Sequence, residues 1–143
     1  MAIWFGNPTI DDARASHVGL LASHLGIEFI EWGEDFLRGT MPVEPRTRQP
    51  MGYLHGGASM ALAETLGSVA ANYVVDYAKF RCLGQEINAN HLRPVTDGLV
   101  IGTARPMHLG SRSQVWSIEI RDPRERLVCI SRLTVAVVEW HPK

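Results

Sequence analysis

Cysteine is scarce: Cys82 and Cys129 stand far apart, with no C-x-x-C pair to hold zinc or to exchange a disulfide. The 6 histidines show no H-x-x-x-H or other ligand spacing, so no metal site is expected and the two thiols read as buried and free. No apolar run approaches a membrane span and no basic, apolar, small-residue leader opens the chain, so a cytoplasmic protein with no membrane partner is expected. Neither sign of charge dominates. With 14 Lys and Arg against 15 Asp and Glu, the formal net charge is −1, which leaves no electrostatic footprint for nucleic acid. G-x-G-x-x-G and Walker loops are missing, so neither a dinucleotide nor a nucleotide cofactor is implied. Gly57-Ala-Ser-Met-Ala61 falls one glycine short of the G-x-S-x-G elbow and follows no nearby strand, which sets Ser59 aside as a nucleophile.

What is present organises itself around residues 49–75. From Ala58 to Val75 the chain is rich in Ala, Leu and Met, lacks Pro, and is apolar on nearly every side, which predicts a long central helix wrapped by other structure. Glu64, Thr65, Ser68 and Asn72 interrupt it at helical spacing and so share one strip of its surface. That strip reads either as a solvated face or as a functional one. A buried carboxylate carries a desolvation cost unless paired, and no Lys, Arg or His follows His55 before Val75 to pair Glu64 locally. The approach to the helix contains Pro50, Gly52, Gly56 and Gly57, a loop able to turn tightly and leave backbone N–H groups unpaired at the helix start. Such an end attracts negative charge, including the oxyanion of an attacked carbonyl. Gln49 and His55 flank it, either as further donors or as an ordinary solvent-facing amide and a loop histidine bonded to backbone. Gly56 and Glu64 stand eight residues apart, about 12 Å along a helix, too far to meet at one small reacting centre. If both act on one substrate, Glu64 comes from a second chain, and a two-fold homodimer would build two shared sites.

The remainder is one domain, 1–143, with 45% apolar and 20% charged residues, enough for a single core. Residues 1–8, with Trp4 and Phe5, read as an arm whose order the sequence leaves open. Thr9 to Leu25 predicts a short amphipathic helix with Thr9 and Asp12 at its start and Gly26 as its stop, carrying His17 and His24 as exposed side chains. Strands are expected at 27–32 and 36–43 around Gly33-Glu-Asp35, then at 85–92, 99–108, 113–121 and 126–139, with 76–83 a connection. A run of strands with one long helix predicts an α+β domain, an antiparallel sheet of five or six strands curled around that helix.

The stretch Gln49-Pro-Met-Gly-Tyr-Leu-His-Gly-Gly-Ala-Ser59, followed by Leu62-Ala-Glu-Thr-Leu-Gly-Ser68, resembles the hotdog-fold acyl-CoA thioesterases. Within them it is similar to the helix-Glu group that includes 4-hydroxybenzoyl-CoA, 1,4-dihydroxy-2-naphthoyl-CoA and enterobactin-synthesis proofreading thioesterases. Thr40-Met-Pro-Val43, Gln85 to His91, His108-Leu-Gly-Ser-Arg112, Gln114 to Ile120 and Ser131-Arg-Leu-Thr134 extend the resemblance in the same order. It implies an acyl-CoA substrate, most simply an aroyl-CoA, no cofactor beyond the CoA of that substrate, and a homodimer that pairs into a homotetramer. Glu64 matches the catalytic carboxylate, as nucleophile or as base on water. The Gly56 N–H matches the group that polarises the carbonyl, Gln49 and His55 the side chains that position it, and Ser68 a hydroxyl that assists the attacking water. For coenzyme A the resemblance points to Asn90, His91 and Arg93 and to Gly110, Ser111 and Arg112. Leu21, Leu25, Met51, Leu54 and Val69 are expected to line the acyl slot, with Val69 leaving room for two rings. Dehydratase chemistry would need an Asp and a His on the helix, and 58–75 has neither. An acyl-CoA sensor without catalysis and a hydrolase of carrier-protein thioesters stay open as alternatives.

Overall fold

A computed structural model describes residues 1–142. Alternation places Trp116, Ile118 and Ile120 of one strand and Leu133 and Val135 of the next on the same face of a sheet, where all are fully buried. Six strands form that sheet: β1 (Glu28–Trp32), β2 (Leu37–Pro42), β3 (Phe80–His91), β4 (Leu99–Leu109), β5 (Ser113–Arg121) and β6 (Leu127–Glu139). All pairings are antiparallel, in the order β1-β2-β4-β5-β6-β3. Three helices accompany it: α1 (Ile10–Ala15), α2 (Leu21–His24) and α3 (Gly56–Val74). The sheet curls around α3, whose Leu62, Ala63, Leu66, Ala70 and Ala71 have no exposed surface. This is the α+β arrangement expected of a hotdog fold.

A pair of glycines seats the helix. Gly39 and Gly102 are register partners on β2 and β4. A Cβ on either would stand 2.8 and 2.7 Å from the Leu66 methyl groups, so the bare backbone forms the hollow that Leu66 fills. At the far end of α3, the Asn72 amide donates to Ser68 O at 2.9 Å and to Cys82 O at 3.0 Å and accepts from Cys82 N at 2.8 Å. One side chain thereby ties the helix to β3.

Three expectations change, and the structure decides the order of the arm. The helix predicted over 9–25 is two short helices, α1 and α2. The Thr9–Asp12 capping box starts α1 as foreseen, but Ser16 and His17 fold back onto Ala13 O and Gly19 adopts φ 74, which breaks the axis. The central helix begins at Gly56, two residues early, because His55 caps it. Residues 80–83, expected in a connection, belong to β3, because β6 runs on to Glu139 and pairs with Phe80. The arm 1–8 has no regular structure yet is pinned. Ile3 N–H donates to Glu34 O at 2.9 Å and Trp4 Nε1 to Gly33 O at 2.7 Å, while the Trp4 ring stacks on Trp116 and meets Trp32 edge-on.

Candidate active site

The loop before α3 turns tightly at Gln49–Tyr53. Gln49 N–H donates to Tyr53 O at 2.8 Å and Gly52, at φ 86, donates to Gln49 O at 2.9 Å. The Gln49 side-chain oxygen accepts from Met51 N–H, which leaves its NH2 group free to donate outward. His55 is the N-cap of α3, with Nδ1 accepting from Gly57 N–H at 2.8 Å. An accepting Nδ1 carries no proton, so the ring presents Nε2–H. Among the described residues nothing accepts from Gly56 N–H. It is an open donor at the positive end of a 19-residue helix. Gln49, Tyr53, Leu54, Gly56, His91 and Arg93 share a cleft of about 320 Å³ here.

Glu64 lies two turns further on, half-buried, where its Oε1 accepts from Ser68 Oγ at 3.2 Å. Its carboxylate lies against the backbone of Gly84, where the register of β3 shifts and no side chain intervenes. It therefore faces β3, the long free edge of the sheet. Neither cysteine competes as a nucleophile. Burial pushes the Cys82 thiol up to about 11 and raises that of Cys129 as well. Among the described residues no group of three or more His, Cys, Asp or Glu is placed to hold a metal ion, and no helix is long and apolar enough to cross a membrane.

One chain brings some of the expected residues together and separates others. Gln49, His55 and Gly56 gather at the helix start, with the His91 ring against Gly56: a Cβ there would lie 2.8 Å from His91 Nε2. Glu64 and Ser68 stand apart from them. Asn90, His91 and Arg93 are at one end of β3 or just past it, whereas Gly110, Ser111 and Arg112 form the β4–β5 turn. The strand pairings set that turn level with Leu83, about 26 Å from His91 at ~3.3 Å per residue. The Arg93 and Arg112 guanidinium groups make no ion pair among the described residues. The apolar set is likewise divided: Leu21 and Leu25 line a cleft beside His55, Leu54 lines the cleft at Gly56, and Met51 is 75% exposed. Val69 lines another cavity with residues that sequence reasoning passed over: Phe5, His17, Tyr73 and Tyr77. His17 is half-buried against Phe29 rather than exposed, with ring centroids 5.0 Å apart. Gly19, inside the run expected to form one helix, is the signal that could have marked the turn holding it. Burial, with the Asp12 carboxylate and Tyr77 adding to it, raises the Tyr73 phenol above its ordinary value and keeps its proton in place.

A six-stranded antiparallel sheet around one helix, with an unpaired N–H at the helix start and a carboxylate on its flank, is a scaffold for attack on a carbonyl. Comparison with known proteins places the chain. The family model for the thioesterase superfamily matches residues 51–129. The 1,4-dihydroxy-2-naphthoyl-CoA hydrolase of Escherichia coli is 48% identical over 136 residues, 95% of this chain and 99% of that one. The proofreading thioesterase EntH of Cronobacter turicensis is 49% identical, over 95% and 98% of the two chains. Among solved structures, a mutant thioesterase from Pseudomonas aeruginosa superposes with a TM-score of 0.95 at 42% identity, over 97% of this chain and 100% of that one. The chain belongs to the thioesterase superfamily. It has the hotdog fold and is a thioester hydrolase.

Proposed function

We propose that the protein hydrolyses an aroyl-CoA to the free acid and coenzyme A, with Glu64 as its catalytic carboxylate. The observation that carries this reading is the placement of Glu64: braced by Ser68, facing the bare backbone of the sheet edge, on a helix whose first N–H is open. The thioester carbonyl oxygen accepts from the Gly56 N–H, with Gln49 and His55 fixing the substrate beside it. Such donors strengthen as charge develops on oxygen in the transition state. Glu64 attacks the carbonyl carbon directly, giving an anhydride that water then opens, or takes a proton from a water that attacks. In either route the carbon–sulfur bond breaks, one proton of the water ends on the CoA thiolate and the other leaves with the acid. The new oxygen of the acid comes from the water directly or, when water opens the anhydride at the Glu64 carbonyl, by way of Glu64. No cofactor is required.

Two chains complete the site. Gly56 and Glu64, about 12 Å apart along α3, cannot meet one carbonyl from a single helix. Antiparallel pairing of two β3 edges about a two-fold axis would bring the His91 end of one chain toward Glu64 of the partner subunit. The same operation moves the free Arg93 of one chain and Arg112 of the other toward each other, where they can meet the phosphates of one CoA. A second reading, which the likeness to a protein named a proofreading thioesterase leaves open, is the same hydrolysis on another thioester, such as one carried by a protein.

The test is thiol release from 1-hydroxy-2-naphthoyl-CoA, benzoyl-CoA, phenylacetyl-CoA and hexanoyl-CoA by wild type and by Glu64→Gln. Wild type should turn over an aroyl-CoA, and the variant should lose about 10³-fold or more in kcat. Equal cleavage by both proteins overturns the assignment of Glu64, and binding without cleavage by wild type points to a sensor.

A further inference from the structure

Resting on the thioesterase reading, we propose that the cavity between the N-terminal arm, the α1–α2 turn and α3 receives the acyl group, and that His17 selects acyl groups bearing a hydroxyl remote from the thioester. The cavity measures about 480 Å³, within the range of small-molecule sites. It reaches the neighbourhood of the proposed catalytic carboxylate through Ser68, which lines it and whose hydroxyl donates to Glu64. Its walls are apolar and largely aromatic: Phe5, Val69, Tyr73, Val75 and Tyr77. Phe5 is held there by its own backbone, which donates to Tyr73 O at 2.7 Å. Ser68 to Tyr73 spans five residues of α3, a depth of about 7.5 Å that suits one or two fused rings.

Three of the six polar side chains on these walls are already engaged, and the Tyr73 and Tyr77 hydroxyls can donate as well as accept. Ser16 Oγ donates to Ala13 O, Ser68 Oγ to Glu64, and the Asn72 amide is committed to Ser68 and Cys82. His17 is different. Its Nδ1 lies 2.9 Å from both Ala13 O and Ser16 Oγ; the carbonyl oxygen can only accept and the Ser16 hydroxyl proton is directed to that same oxygen, so Nδ1 carries the proton. Nε2 is left with a lone pair and no partner among the described residues. The ring cannot turn freely, since Phe29 packs on it and the Ala13 carbonyl holds one edge. His17 and His55 are thus set in opposite tautomers by backbone groups: His55 offers a donor at the carbonyl end, His17 an acceptor at the acyl end.

A phenolic hydroxyl donates well to an imidazole lone pair. An unsubstituted ring would cover that lone pair without replacing the water it loses, and a site built for a hydroxyl disfavours the analogue that lacks it. The cavity is open on one side, so the discrimination should be moderate, about 10-fold rather than the much larger ratios of enclosed sites.

The experiment compares kcat/KM for two pairs that differ by one distal hydroxyl, 4-hydroxybenzoyl-CoA with benzoyl-CoA and 6-hydroxy-2-naphthoyl-CoA with 2-naphthoyl-CoA. Wild type, His17→Phe and His17→Gln are used, each with a melting curve. The expected result is that wild type favours the hydroxylated member of at least one pair by about 10-fold, that the preference falls to within about twofold in His17→Phe, and that the amide oxygen of His17→Gln restores part of it. A preference that is absent in wild type, or equal in wild type and a folded His17→Phe, overturns the role of His17 while leaving hydrolysis intact. Should His17→Phe not fold, His17→Leu, which likewise lacks an acceptor, decides in its place. If wild type cleaves none of these thioesters, the thioesterase reading of this cavity and the inference fall together.

Discussion

At the scale of single residues, the position of one carboxylate depends on a missing side chain. Gly84 lies on β3 under Glu64, and a Cβ there would overlap the Glu64 Oε1 atom. Because that atom is the end of a flexible side chain, the clash is relieved by rotating Glu64 away, at little cost to the fold. With Glu64 as the proposed catalytic carboxylate, Gly84→Ala is therefore expected to lower kcat by roughly 10- to 100-fold, the scale on which a misplacement of about 1 Å acts, while the melting temperature stays within about 2 °C. Steady-state kinetics beside calorimetry check this. A large fall in melting temperature with kcat unchanged would show that Gly84 serves the strand and not the carboxylate.

At the scale of elements, the β5–β6 hairpin hangs on one buried aspartate. Asp122 is 4% exposed. Its carboxylate accepts from Arg124 N at 2.9 Å, Arg126 N at 3.0 Å and Arg126 Nε at 2.7 Å, closing the turn in which Glu125 takes φ 64. Burial alone would raise the carboxyl, but the donors from Arg126 and Arg124 outweigh it and hold it below its ordinary 3.8. A folded value below the unfolded one means that this carboxylate stabilises the protein fully above about pH 4 and that the contribution is lost as pH falls through the depressed folded value. Asp122→Asn should accordingly melt below wild type at pH 7, and the gap should narrow as pH is lowered past 3.8. A gap that stays constant with pH would assign the loss to packing rather than to charge.

At the scale of the whole molecule, β3 leaves 12 residues along a free sheet edge, and the donor end of α3 and the Glu64 carboxylate are too far apart to serve one carbonyl from the same chain. If the sites are shared between two chains, two inactive variants can rescue each other. Glu64→Gln mixed with a variant crippled at the donor end, His55→Ala, should recover about a quarter of wild-type activity after dissociation and reassembly in equal amounts, because half of the dimers are mixed and each carries one intact site. Activity no greater than the mean of the two variants would place each site within one chain.

The sequence alone determined the central helix and the six strands within a few residues, and it set Gln49, His55 and Gly56 at the helix entry and Glu64 and Ser68 on one strip of the helix. These are local facts: an apolar helix with one polar strip, period-2 alternation, and a glycine-rich entry are written in consecutive residues. Tertiary structure decided what depends on residues remote in the chain. The break at Gly19 and the hydrogen bonds from Ser16 and His17 divided the first helix. Trp116 and the Gly33–Glu34 backbone, more than twenty residues away, pin the N-terminal arm whose order the sequence left open. Pairing with the end of β6 drew Phe80 into the sheet. His17 acquired an environment for the same reason: its neighbours at a distance, Phe29 and the α3 face at Ser68 to Tyr73, are brought to it only when the sheet closes around the helix, and no periodicity records which side chains will meet there.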